Sequence, residues 1–176
     1  MADAFSRDRL QPALLDRLID EDRHNSSEAV ETRAIGKQRL RQCVLRDLNW
    51  LFNANAGLNN LPAEAQNEHC LRSTLNFGIH SLSGMLASKV ELSDLERELK
   101  QAIINFEPRI LADSLFIRGI APADPLGHHN VLQFEISGML WAQPYPLELL
   151  LKTDLDLETG LISLHDGSQT IRDRLE

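Results

Sequence analysis

The residues best placed to do chemistry in this chain are Glu107 and Arg109, held apart by Pro108. A proline fixes its own φ, lacks a backbone donor and pushes the residue before it out of helical geometry. The tripeptide follows an amphipathic run, so the helix is expected to end near Phe106. Two opposite charges then flank a rigid corner. A carboxylate at a helix C-terminus opposes the macrodipole. Glu107 therefore calls for a compensating partner, either internal or on another protein.

Other reactive residue types do not assemble into a site. A two-carboxylate hydrolase needs both groups on one cleft, one of them holding a proton. Glu107 and Glu135 are the candidates, and no spacing ties them together. His69, His80 and His165 are isolated, while His128 and His129 fall in a Pro-Leu-Gly loop. Zinc-ligand spacing, a glycine-rich phosphate loop and a Ser-His-Asp order are all lacking. The sequence thus predicts no catalytic residue, no cofactor and no metal. Cys43 and Cys70 form no CxxC pair and fit a reducing compartment, with Cys43 as a small buried hydrophobe.

The elements that position these residues follow from periodicity. The 176 residues, 43% of them hydrophobic, are enough for one domain with a real core. Residues 1–35 read as an arm and linker, 36–166 as the main domain, and 167–176 as a tail. In the arm, Leu14, Leu15 and Leu18 share one face of a short helix, with Pro12 in its first turn. Such a helix on a polar leash docks either on its own domain or on a partner.

A first long helix is expected over 37–53, with Leu40, Val44, Leu48 and Leu51 as its apolar stripe. Arg39 and Arg46 lie on the other side, near Trp50. Together with Arg33, Lys37 and Arg41 they make this stretch locally basic. It is either a solvated face or a contact for an acidic partner surface. Residues 53–63 read as a loop. Thr74–Ile79 reads as a short extended piece and Ser81–Leu86 as a single helical turn. Ser93-Asp94-Leu95-Glu96 has the form of a capping box, starting a second helix over about 94–106.

Strands are expected after the corner. One spans Asp113–Ile120. In Val131–Trp141 and Leu147–Leu157, apolar residues alternate with polar ones. Turns at Gln143–Pro146 and Glu158–Gly160 lead on to Leu161–Leu164. The fold class is therefore α+β, two main helices packed on a small, mostly antiparallel sheet, with the short arm helix in addition. Met139, Trp141 and Leu150 fall on the polar side of the strands. Either a helix or the arm covers them, or that face docks a protein. An exposed edge strand could also accept another chain's strand.

Net charge is −8, which argues against general nucleic-acid binding. No apolar run is long enough to insert into a membrane, and the first residues lack a signal peptide's apolar stretch. A cytoplasmic protein is expected.

Several segments together resemble the TssE family, the small baseplate wedge subunit of type VI secretion systems. That family is related to the lysozyme-like tailed-phage baseplate wedge proteins. The matching pieces are Leu14–Leu18, Val44–Leu51, Leu75–Ile79 with Leu82–Gly84, Phe106–Ile110 and Glu158–Gly160. Glu107-Pro108-Arg109 after an amphipathic helix weighs most. The chain departs at His80, where the family pattern has Pro or a small polar residue.

The resemblance implies a non-catalytic subunit that joins TssF and TssG, within a larger assembly with TssK, in a cytoplasmic baseplate at the inner membrane. It also implies a part in starting polymerisation of the contractile TssB/TssC sheath. Glu107, Pro108 and Arg109 are carried over as the assembly contact. Leu14, Leu15, Leu18, Arg39, Arg46 and Trp141 are further interaction candidates from the residue reading. Removing Glu107 or Arg109 is expected to hurt assembly more than fold. The alternatives are a wedge protein of another contractile injection device, or a muramidase-like hydrolase using Glu107.

Overall fold

The computed structural model describes residues 13–18, 36–62, 67–85, 90–120, 131–142 and 145–167. Pro12, the linker through residue 35, Leu86, His128, His129, Gln143-Pro144 and the tail from 168 onward lie outside the described residues.

Helices α1 (Leu14–Leu18), α2 (Lys37–Phe52), α3 (Glu68–Leu71) and α4 (Leu92–Phe106) precede four strands. These are β1 (Phe116–Ile120), β2 (Val131–Leu140), β3 (Leu147–Asp156) and β4 (Ile162–Asp166). The strands form one antiparallel meander in the order β1-β2-β3-β4. The fold is α+β, with two main helices on one face of the sheet.

The predicted stripes make the core. Leu40, Val44, Leu48 and Leu51 of α2 and Leu95, Leu99, Ala102 and Ile103 of α4 are buried. They meet Leu132, Phe134, Ile136 and Leu140 of β2 and Leu149, Leu151 and Leu155 of β3. Burying each such side chain contributes roughly 1.5–3 kcal/mol. Thr153, the one polar residue on this face of β3, donates its hydroxyl to the Phe134 carbonyl at 3.3 Å. Cys43 is buried, as expected, and Cys70 is exposed.

Several local expectations are corrected. The capping box does not form: α4 begins at Leu92, Glu91 is its N-cap, and no side chain caps it. Glu96 accepts instead from the Gly119 backbone N–H at 2.6 Å. The packing of α4 on β1 brings the Glu96 carboxylate to a strand N–H, where it makes a charge-assisted bond. The extended piece at Thr74–Ile79 is a 3-10 turn over Thr74–Asn76, then a parallel bridge from Ile79 to Asn55. Gly78 enables that crossing. Its φ is +127°, and a Cβ there would lie 2.2 Å from the Ala54 carbonyl oxygen. Ala112–Ser114 forms a 3-10 turn, so β1 starts only at Phe116. The short helix α3 was not foreseen; Asn67 caps it by accepting from His69 N–H at 2.9 Å.

Candidate functional site: an ion-paired corner and its groove

Helix α4 ends where Pro108 requires. Glu107 leaves helical geometry at φ −123°, ψ 78°, while its N–H still donates to the Ile103 carbonyl. The chain then turns back, Ile110 N–H donating to the Glu107 carbonyl at 3.2 Å. It runs beside the end of β2. Trp141 N–H donates to the Arg109 carbonyl at 2.7 Å, and Leu111 N–H to the Met139 carbonyl at 2.9 Å. The corner is thus stitched to the sheet by backbone bonds on both sides of Ile110.

The partner of Glu107 is internal. Its carboxylate is buried, with 4% exposure, and faces Arg109. One oxygen accepts from Arg109 Nε at 2.7 Å and from Arg109 N–H at 3.2 Å. The other accepts from the guanidinium NH2 group, which also donates to Asp47 of α2 at 2.5 Å. Burial opposes the Arg109 charge, but Glu107 and Asp47 outweigh it and hold its pKa above the ordinary arginine range.

Asp47 carries the network onward. Arg46 binds it through Nε at 2.9 Å and NH2 at 2.8 Å, and reaches Asp16 of α1 through NH1 at 2.7 Å. The Arg46 guanidinium also lies 5.1 Å from the Trp50 ring centroid, a cation–π contact. Burial works against the Arg46 charge, yet Asp47 and Asp16 raise its pKa. Asp16 in turn resists its own desolvation, because Arg46 and the Cys43 thiol hold its pKa below the usual carboxylate value. Alternating charges therefore run Asp16, Arg46, Asp47, Arg109, Glu107, from the arm helix through α2 to the corner.

Above this network lies a groove of about 530 Å³, lined by Leu15, Trp50, Phe77, Phe106 and the Glu-Pro-Arg corner among others. Phe77 meets Phe106 edge to face, with centroids 5.3 Å apart.

The structure brings together Glu107, Pro108, Arg109, Arg46 and Leu15. Trp141 lies outside the lining of the groove and is 54% exposed. Arg39 is half-buried in the first turn of α2. Leu14 and Leu18 are 71% and 73% exposed, whereas Leu15 lines the groove, so only part of the apolar face of α1 meets the domain. Asp16 also anchors α1, through a side chain only 4% exposed. The pattern of leucines concealed this, because a lone aspartate between them reads as solvated. Arg46, grouped with a basic face by its sequence, is committed internally for the same reason. Asp47 gave no signal beyond its place beside Arg46.

Other candidates stay apart. Glu135 lies mid-strand, in register with Arg118 and Lys152, and does not line the groove. His80 pairs with Glu98, which also accepts the His80 backbone N–H at 2.8 Å. His165 is 3.4 Å from Asp154 at the surface. Among the described residues no group of three or more His, Cys, Asp or Glu side chains could hold a metal ion. No helix among them is long and apolar enough to cross a membrane.

A partly buried charge network thus braces the corner, with apolar side chains displayed around it. The chain matches the family of the baseplate wedge protein gp25 over residues 38–145, more than half its length, and belongs to that family. No curated protein and no solved structure gave a match. The family assigns a structural role in the baseplate of a phage-like injection device, assembled with other baseplate proteins.

Proposed function

We propose that this chain is the wedge subunit of a type VI secretion baseplate. It joins TssF and TssG at the inner-membrane-docked baseplate in the cytoplasm, within an assembly containing TssK. It also helps initiate polymerisation of the TssB/TssC sheath. The observation that carries the reading is the Glu107-Pro108-Arg109 corner. It is charge-locked to α2, hydrogen-bonded to β2, and flanked by exposed Trp141 and the apolar groove. A corner fixed from both sides presents its neighbours with little ordering entropy left to lose on binding, which favours templated assembly.

The hydrolase alternative is disfavoured by the same geometry. A general acid must carry a proton into the reaction. Glu107 accepts three hydrogen bonds from Arg109 through both carboxylate oxygens and is 4% exposed, so its carboxyl group is already engaged within the fold. A wedge protein of another contractile device shares all the features above, and partner identity separates the two.

The test is co-purification with TssF and TssG, using wild type, Trp141→Ala, Arg39→Ala and Glu107→Ala. Recovery by wild type, with loss in variants that keep a wild-type melt, supports the reading and places the contact. Failure of wild type to recover either protein would overturn the type VI assignment and leave the other device.

A further inference from the structure

The outer strands of a sheet expose unpaired backbone groups that recruit other strands. In this chain side chains from the two main helices occupy such groups at both edges. On β4, the carboxamide of Asn53, just past the end of α2, accepts from Ile162 N–H at 3.0 Å and donates to the Ile162 carbonyl at 2.9 Å. Those are the two bonds a residue of a neighbouring antiparallel strand would make. The Asn49 carbonyl, 2.8 Å from the same amide nitrogen, fixes its orientation. On β1, Glu96 of α4 takes Gly119 N–H at 2.6 Å. A third case lies where β3 runs past the end of β4. There the Glu148 carbonyl turns away from β2 and Arg41 of α2 donates to it.

We propose that Asn53 and Glu96 are edge guards, closing the outer strands of this sheet to a strand from a second copy of the chain. The occupant they exclude is defined by their chemistry: a side-chain amide in the place of a peptide group, and a carboxylate on a strand N–H. Glu96 lies on α4, which packs on β1, and Asn53 just past the end of α2, which packs on β4, so the guards are set by the fold itself. Asn53 is the exchangeable one, since a neutral amide gives way to a peptide group at little cost. Glu96 bonds through its charge and is flanked by Leu92, whose methyl carbons lie 3.4 Å from where a Gly119 side chain would begin. Closed edges suit a subunit that must reach its place in an assembly without first pairing with its own kind. The guard role does not depend on which assembly that is.

The test compares wild type, Asn53→Ala, Glu96→Ala, the double variant and Glu96→Gln by sedimentation velocity over a concentration series. Amide hydrogen exchange is followed at Ile162 and Gly119, and circular dichroism monitors the fold. The double variant frees the Ile162 N–H and carbonyl on β4 and the Gly119 N–H on β1, and roughly tenfold or stronger self-association than wild type is expected. Ile162 or Gly119 should become protected in the associated species. Glu96→Gln keeps an acceptor and should behave as wild type. A folded double variant that stays in the wild-type association state would overturn the proposal. So would association that leaves both amides exchanging as in the free chain, because it would run through another surface. Should the double variant fail to fold, the single variants are read by the same criteria.

Discussion

At the scale of single residues, the corner is a brace before it is anything else. Glu107 is buried, and Arg109 satisfies it with three bonds. Removing one partner of a buried pair leaves the other uncompensated, at a cost of about 3–5 kcal/mol. Arg109→Ala removes both guanidinium bonds and leaves Glu107 only the backbone N–H of residue 109. Glu107→Ala leaves Arg109 with Asp47. Urea unfolding should therefore show the larger loss for Arg109→Ala, and Glu107→Gln should lose least. This moves the expectation drawn from sequence, since a change at Glu107 then weakens the fold as well as any contact it serves. His80 gives a second residue-scale prediction. Glu98 bonds its ring and raises its pKa above the ordinary 6.5, against the opposing effect of burial. A raised folded-state value means the pair's contribution is fully present below the unfolded pKa. It disappears as pH rises through the folded value. The Tm difference between wild type and His80→Ala should be largest in mildly acidic buffer and shrink on the alkaline side.

At the scale of elements, periodic segments were legible and pairwise ones were not. The stripe of α2 and the alternation of β2 and β3 fixed which faces are buried, because one surface had to leave water. What failed were choices between local hydrogen-bond partners. Ser93 and Glu96 match a capping box, yet Glu96 lies under β1 and bonds Gly119, a contact made across 23 residues. The arm shows the same limit. Three leucines marked a docking helix and left its seat open, and Asp16 with the Arg46 guanidinium supplies an ion pair to α2 that the leucines did not signal. Of the candidate site, the corner itself was readable because Pro108 is a local constraint. Asp47 and Asp16 were not, because the contacts that join them to the corner and to α2, Arg109 to Asp47 and Arg46 to Asp16, run between distant parts of the chain. The docking mode predicts a separable response. Asp16→Asn should release α1, seen as faster amide exchange and proteolysis near residues 14–18, with little change in the global melt. The Asp16 pKa is lowered from 3.8, so its contribution is present above that value and is lost as pH falls through the folded one. Acid should therefore detach the arm by the same route.

At the scale of the whole molecule, the two main helices cover one face of the meander and leave the other without a helix among the described residues. That open face divides along the strands. Across its middle, Arg118, Glu135, Lys152 and His165 stand in register, with Glu135 between two cations, as a solvated sheet face should. Toward the corner it turns apolar. Phe116 is 67% exposed, and Ser137 separates it from Leu150 in the same row. Trp141 follows at the end of β2, its backbone bonded to Arg109. Folding alone does not require large exposed rings beside a braced corner, since exposed side chains contribute little to stability. Phe116→Ala and Trp141→Ala should each change unfolding free energy by no more than about 0.5 kcal/mol. If this end of the sheet is where the subunit meets its baseplate neighbours, the same substitutions should cost it those neighbours in co-purification. The opposite pattern, a lowered melt with partners retained, would make the rings part of the fold and move the contact to the groove between α1 and α2.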